Sequence, residues 1–327
     1  MYQIREASYK DVGALILEND VVQVTVTPDH GARTASIIYK PQKRELLWQN
    51  PEPEHTRPAY AAGYEEGEFA GFDEMLPTIS RCFYEDGPWA GTEMPDHGEV
   101  WTLPWSYTIA EDGSSVEFSV SGVRFPYRFT KRVELSGTKG DVLHAEYLLE
   151  NNSSTDFDYI WAAHPLFHTH PGMRFIVPPG MDRIVNAVPG KPLGPYGRET
   201  GFPEAMSAEG RPLDLSVVPE RNSDGYQKYY FTGKVTEGWC LLHSPEWKLN
   251  IGLSYPSDTV SYLGMWLNEG GLAGQYNIAP EPATGAMDRV DFSKMWGTGS
   301  VLPANASRSW FLDIAVREGG LPDKFSL

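Results

Sequence analysis

The sequence predicts an all-β protein, an antiparallel sandwich or barrel, on three observations. Short runs of alternating apolar and polar residues recur along most of the chain. Clusters of Gly, Pro, Asn and Asp separate them, and sustained helical periodicity is scarce. At 327 residues the chain is long for one ordinary domain. Large β-sandwiches nevertheless run past about 200 residues, so one domain over residues 1–327 is the economical division.

Taken in order, "DVVQVTVTPDHGARTASIIYK" gives two strands around a turn at Pro28 to Gly31. "WSYTIAEDGSSVEFSVSG" is a hairpin whose Asp112-Gly113 tolerates positive φ. "YRFTKRVELSGTKGDVLHAEYLLENNS" is a second hairpin, turning at Lys139-Gly140. "FDYIWAAHPLF", "MRFIVPPG", "KYYFTGK", "WCLLHSP", "WKLNIGLSYP", "YLGMWLN" and "SRSWFLDIAV" continue the strand pattern. Two stretches read as helical turns, "FDEMLPTI" before Pro77 and "DFSKMWG". The Pro- and Gly-rich stretch from Gly180 to Gln227 reads as a long excursion or lid.

Composition narrows the class. Hydrophobic content of 41% with 22% charged residues fits a soluble globular chain. A formal net charge of −17 opposes nucleic acid as a partner, because phosphates would be repelled. Cys82 and Cys240 stand far apart with no CxxC pair, which excludes a zinc ribbon and a disulfide framework. The opening "MYQIREASYKD" lacks the apolar segment of a signal peptide, and no run approaches the roughly 18 apolar residues of a membrane span. These features predict a cytoplasmic protein with no membrane partner; the N-x-S sequons at Asn151, Asn152 and Asn305 carry little weight without a secretion signal.

Several polar residues stand in apolar or aromatic surroundings, and each has an ordinary reading beside a functional one. His97, in "MPDHGEVWTLPW", is a turn histidine or a ligand-facing one. His164 ends an apolar strand before Pro165, as a buried histidine satisfied by a carbonyl or as an acid–base group. Glu281, in "YNIAPEPATGA", lies between Pro280 and Pro282: either a solvated corner or a carboxylate held in place on both sides. His168 and His170, two apart, would share a face if extended and so could approach one metal; Pro171-Gly172 argues instead for a turn. In "AGFDEMLPTISR", Asp73 reads as a helix N-cap, with Glu74 and Arg81 near it. Trp101, Trp105, Trp161 and Trp266 are core residues or indole faces for stacking on a sugar ring.

The ordered set "DHGEVW", "AAHPLF" and "NIAPEPATGA", with "GARTASIIYK" and "ELLWQNP" near the start, resembles the aldose 1-epimerase (galactose mutarotase) family over nearly the whole chain. The resemblance implies a galactose mutarotase-like supersandwich of antiparallel sheets. It implies Glu281 as general base, His164 as general acid and His97 as a sugar ligand, with no cofactor and no metal. The implied partner is a monosaccharide, and the chain a monomer or homodimer. Two departures stand out: Gly98-Glu99 follows the first histidine where commoner members have a Gly pair, and "GFDEMLPTISR" does not match their GR-x-x-N-R-like segment. By order, Asp73 and Arg81 take that segment's place in binding substrate, and Trp266 is assigned to stack on the sugar. A carbohydrate-binding protein without catalysis is the first rival reading. A metal enzyme using two histidines and one carboxylate is the second.

Overall fold

The structure, a computed structural model, describes residues 2–51, 57–190, 192–222 and 225–322. Among them, two antiparallel sheets of 13 and 8 strands dominate. The larger runs in the order Gln3–Tyr9, Val12–Glu18, Val22–Thr27, Arg33–Tyr39, Phe72–Met75, Ala162–Pro165, Asn277–Ala283, Tyr262–Asn268, Tyr226–Phe231, Arg183–Asn186, Glu199–Gly201, with two short strands paired alongside. The smaller runs Arg174–Ile176, Trp239–Ser244, Leu249–Ser254, Ser307–Glu318, Val142–Asn151, Tyr127–Ser136, Val116–Ser121, Ser106–Ile109.

The predicted hairpins fold as their alternation dictates. In Tyr127–Ser136 the residues Tyr127, Phe129 and Val133 point inward, whereas Arg128 points to solvent, the period of 2 that a half-buried strand requires. Turns close where a residue reaches positive φ, at Gly113 between the first pair and Gly140 between the second. Aromatic rings fill the space between the sheets: Tyr147 lies 4.9 Å from Trp161, which lies 5.1 Å from Trp310. "DFSKMWG" forms the helix Val290–Trp296, closed by Gly297 at φ 68°. No helix among the described residues is long and apolar enough to cross a membrane.

Two expectations fail. Phe72–Met75 is a strand, not a helical turn, so Asp73 is not an N-cap. It pairs residue by residue with Ala162–Pro165, and the alternation sends Asp73 and Glu74 to opposite faces, where each meets a buried cation. Those tertiary pairings override the weak β-propensity of Asp, Glu and Met. The 180–227 excursion is built into the fold: it supplies two strands at the edge of the large sheet and the hairpin of Glu204–Met206 with Pro212–Asp214.

Candidate active site

One face of the large sheet carries a row of polar side chains. Pairing of Thr34 with Phe72 brings Arg33 beside Asp73, and Asp73 pairs directly with His164. Pairing of Ala162 with Ala283 sets His164 level with Glu281; Glu281 pairs with Gly264, and Gly264 with Tyr230. Because side chains alternate along each strand, all these residues face one way. Gly264 belongs here for space: a Cβ would stand 3.0 Å from the Tyr230 ring and 3.4 Å from the Glu281 Cβ.

Glu281 is not at a corner. All seven residues of Asn277–Ala283 are buried, and Glu281 is 0% exposed. Pairing with the His164 strand holds at Ala162–Ala283, lapses, and resumes at Phe167–Ile278 and His168–Asn277. Pro280 and Pro282, which have no N–H for the ladder, fall within that lapse, while both still pair with Tyr262–Asn268 on the other side. The prolines therefore lie at the gap between the two strands that carry His164 and Glu281.

The Glu281 Oε2 atom accepts from Lys228 Nζ, and that ammonium also lies 3.5 Å from Asp288 Oδ1, which accepts from the Tyr230 hydroxyl at 2.6 Å. Among the described residues Glu281 Oε1 accepts no hydrogen bond; it lies 3.7 Å from His164 Nε2. Burial raises the Glu281 pKa above its usual value, against the pull of Lys228. Burial, then the electrostatic influence of His97, Lys228 and Arg33, pushes His164 well below its usual value. For Lys228 burial acts downward, but Asp288 and Glu281 outweigh it and raise its pKa, so the cation persists.

His97 approaches from the Asp96–Gly98 turn. Its own φ is 57° and that of Gly98 is 77°, and a Cβ on Gly98 would meet the Leu76 carbonyl oxygen at 2.0 Å, so only glycine fits. The His97 ring stacks on Tyr64 at 3.9 Å and lies 5.3 Å from the His164 ring. Tyr64 donates to Asp73 Oδ2 at 3.0 Å, and its oxygen lies 3.2 Å from His164 Nδ1. The Arg33 guanidinium grips both Asp73 oxygens and reaches Glu68 with a third N–H. Half-buried Trp266 and Trp48 pack against Tyr64, Phe69, Trp101, Leu166 and Ala279, forming an aromatic border to this face.

Of the residues singled out in the sequence, the structure gathers His97, His164, Glu281 and Asp73 on this face, with Trp266 at its border. The oxygens of Asp73 are engaged by Arg33 and Tyr64, which suits support of the site better than contact with a sugar. Arg81 does not join the group: its guanidinium pairs with Glu93, and its side chain is 65% exposed. Trp101, Trp105 and Trp161 are core. His168 packs on Trp48, whereas His170 bonds to Ser244, so the two share no common point. Among the described residues no group of three or more His, Cys, Asp or Glu side chains is arranged to hold a metal ion.

Four contributors escaped the sequence reading: Arg33, Tyr64, Lys228 and Asp288. Lys228 left one trace, a charge amid the aromatics of "YQKYYF". A cavity of about 600 Å³ lies off this site, bordered by Gln227, Tyr229 and Glu269 and by the Pro212–Asp214 hairpin strand; Gln227 and Tyr229 alternate with Lys228 and Tyr230 and so face the other side of the sheet.

No protein-family model and no curated protein sequence matches the chain. Solved structures do, across nearly its full length. A galactose mutarotase-like protein from Lactobacillus casei is 18% identical with a TM-score of 0.67, over 93% of this chain and 100% of its own. A galactose mutarotase related enzyme from Lactobacillus acidophilus is 14% identical with a TM-score of 0.64, over 96% and 100%. A galactose mutarotase-like protein from Clostridium acetobutylicum gives 14% and 0.64, over 97% and 99%. The fold is therefore the galactose mutarotase-like antiparallel β-sandwich, as the sequence predicted.

Proposed function

We propose that the protein is a cofactor-independent aldose 1-epimerase that interconverts the α and β anomers of a monosaccharide. The observation that carries this reading is the pair His164 Nε2 and Glu281 Oε1, 3.7 Å apart, with the carboxylate oxygen free of other hydrogen bonds among the described residues. In a hemiacetal O1 and O5 share one carbon, so an acid and a base set side by side reach both. Glu281 takes the O1 proton, the O1 electron pair forms the C1=O bond, and the C1–O5 bond breaks with its electrons going to O5. O5 takes the Nε2 proton of the His164 imidazolium, which is left as the neutral ring. Rotation about C1–C2 and the reverse steps give the other anomer and return both protons.

The opposite shifts of the two groups support the same reading. Glu281 is raised, which makes it a readier proton acceptor, and His164 lowered, which makes its imidazolium a readier donor. Groups that exchange roles between opening and closing work best when neither holds the proton too tightly. Lys228 pins Glu281 from behind, and a misplacement of roughly 1 Å costs about a hundredfold in such steps. His97 and Trp266 are assigned to hold the sugar, with the indole face against its C–H groups.

The test is anomer exchange by polarimetry or NMR on pure anomers of free aldoses. Wild type accelerates the exchange, and Glu281→Gln loses about a hundred- to ten-thousandfold. Equal acceleration by both proteins rejects Glu281 as base. Saturable sugar binding with no acceleration by wild type rejects the enzyme in favour of a binding protein.

A further inference from the structure

The hydrogen bonds behind His164 bear on a point that its distance to Glu281 leaves open: which ring nitrogen carries the resting proton. Asp73 is gripped by the Arg33 fork, with Nε on Oδ1 at 2.8 Å and Nη2 on Oδ2 at 2.9 Å. A carboxylate so paired only accepts. The Tyr64 hydroxyl is 3.0 Å from Asp73 Oδ2 and has one proton, which goes there. What Tyr64 turns toward His164 Nδ1, 3.2 Å away, is then an oxygen lone pair, and a lone pair is satisfied by an N–H.

We propose that Tyr64 is a positioning residue that fixes His164 as its Nδ1–H tautomer, leaving Nε2 as the one nitrogen that exchanges a proton with the substrate. The remaining neighbours of His164 fit this assignment. Glu281 Oε1, 3.7 Å from Nε2, is beyond hydrogen-bond reach and so does not hold a proton there, the His97 ring lies 5.3 Å away, and Lys228 and Arg33 add positive charge that favours the neutral ring. The Tyr64 ring is itself held, stacked on His97 and edge-on to Phe69 and Trp101. Buried tyrosine also keeps its proton, since its pKa is raised well above the usual value.

A consequence follows for the reaction, and here the inference rests on the epimerase reading. When imidazolium gives up its Nε2 proton to O5, the ring is left in the tautomer Tyr64 favours, and on closing it recovers the proton at the same atom. A ring free to carry its neutral proton on Nε2 would face the substrate with a donor in the closing step, when an acceptor is required.

The experiment reads the tautomer directly, without substrate. Long-range ¹H–¹⁵N correlations of the ¹⁵N-labelled full chain are recorded above the His164 titration, with His164→Gln to assign the ring. Expected is a protonated-type Nδ1 and a bare-type Nε2 in wild type, and a mixture in Tyr64→Phe, which keeps the ring stack and loses only the hydroxyl. A bare Nδ1 in wild type overturns the inference whatever the activity. Anomer exchange then separates this inference from the functional reading. Tyr64→Phe should lower kcat about 10- to 100-fold with a smaller change in KM, the scale on which partners that orient a histidine act. The expected tautomer in a wild-type protein that accelerates no anomer exchange would leave the Tyr64 assignment standing and remove the enzyme.

Discussion

Glu74 and Glu281 are both 0% exposed, both on the large sheet and both beside a lysine, yet they differ in what is left over. Glu74 points between the sheets. Lys131 at 3.3 Å and Tyr147 at 2.9 Å donate to Oε1, and the Trp161 indole at 2.9 Å donates to Oε2. Glu281 points the other way and has Lys228 on one oxygen and nothing donating to the other among the described residues. A buried carboxylate with both oxygens engaged ties two sheets together. One with an idle oxygen beside an imidazole keeps a lone pair available to a ligand, which is what the proposed function uses. Burial raises both pKa values, so the shift alone does not tell them apart; the hydrogen-bond accounting does.

That difference predicts a double dissociation. Glu281→Gln has the largest effect on rate, about a hundred- to ten-thousandfold. Its stability should stay within about 1 kcal/mol of wild type, because Lys228 keeps Asp288 and the lost carboxylate was itself costly to bury. Glu74→Gln does the reverse. It leaves the Lys131 ammonium, 1% exposed, with the Ala32 carbonyl and a neutral amide, and breaking a buried pair in this way costs about 3–5 kcal/mol. Urea denaturation and anomer-exchange rates per folded molecule measure the two arms. A Glu74→Gln protein that is as stable as wild type but slow would collapse the distinction.

The same contrast explains what the sequence made legible. The hairpins were readable because alternation and turn residues act over neighbours in the chain. His164 and Glu281 were readable because each sits in a distinctive context, an apolar strand end and a Pro-flanked acid. Phe72–Met75 misled, because acidic residues in successive positions look like a helix start until Arg33 and Lys131 arrive from distant strands. Lys228 and Arg33 look like the solvent face of ordinary strands; only sheet order turns that face into the site. Tyr64 opens a single 3-10 turn, Tyr64–Glu66, with no periodic signal, and its place depends on Asp73, His97 and His164, brought in from other elements.

Lys228→Met sharpens the comparison at intermediate size. Without the ammonium, Glu281 keeps the repulsion of Asp288, which already raises its pKa, and loses the attraction that lowers it. Its proton affinity climbs, so less base is present at neutral pH. Each pKa unit removes about tenfold of the carboxylate form once the pKa exceeds the working pH. The expected result is a loss of about 10- to 100-fold at neutral pH, partly recovered as the pH rises. A loss that is the same at every pH would assign Lys228 to structure alone.

The smallest effect concerns stability and isolates His164 from Glu74. Its folded pKa lies well below 6.5, so the unfolded chain takes up a proton that the folded chain refuses. Stability is therefore full above that value and falls as the pH drops below it, levelling once the folded group protonates, by about 1.4 kcal/mol per unit of depression. Glu281 and Glu74, with raised values, act with the opposite slope: their contribution is lost as the pH rises past 4.5. Comparing wild type with His164→Asn at each pH cancels Glu74, which is remote on the other face. The stability of wild type relative to His164→Asn should decline on going from pH 7.5 to 5. A difference that instead grows on going from pH 7.5 to 5 would mean His164 is charged in the folded protein, with its Nε2 resting as a donor toward Glu281, and a flat one would mean its folded and unfolded proton affinities coincide.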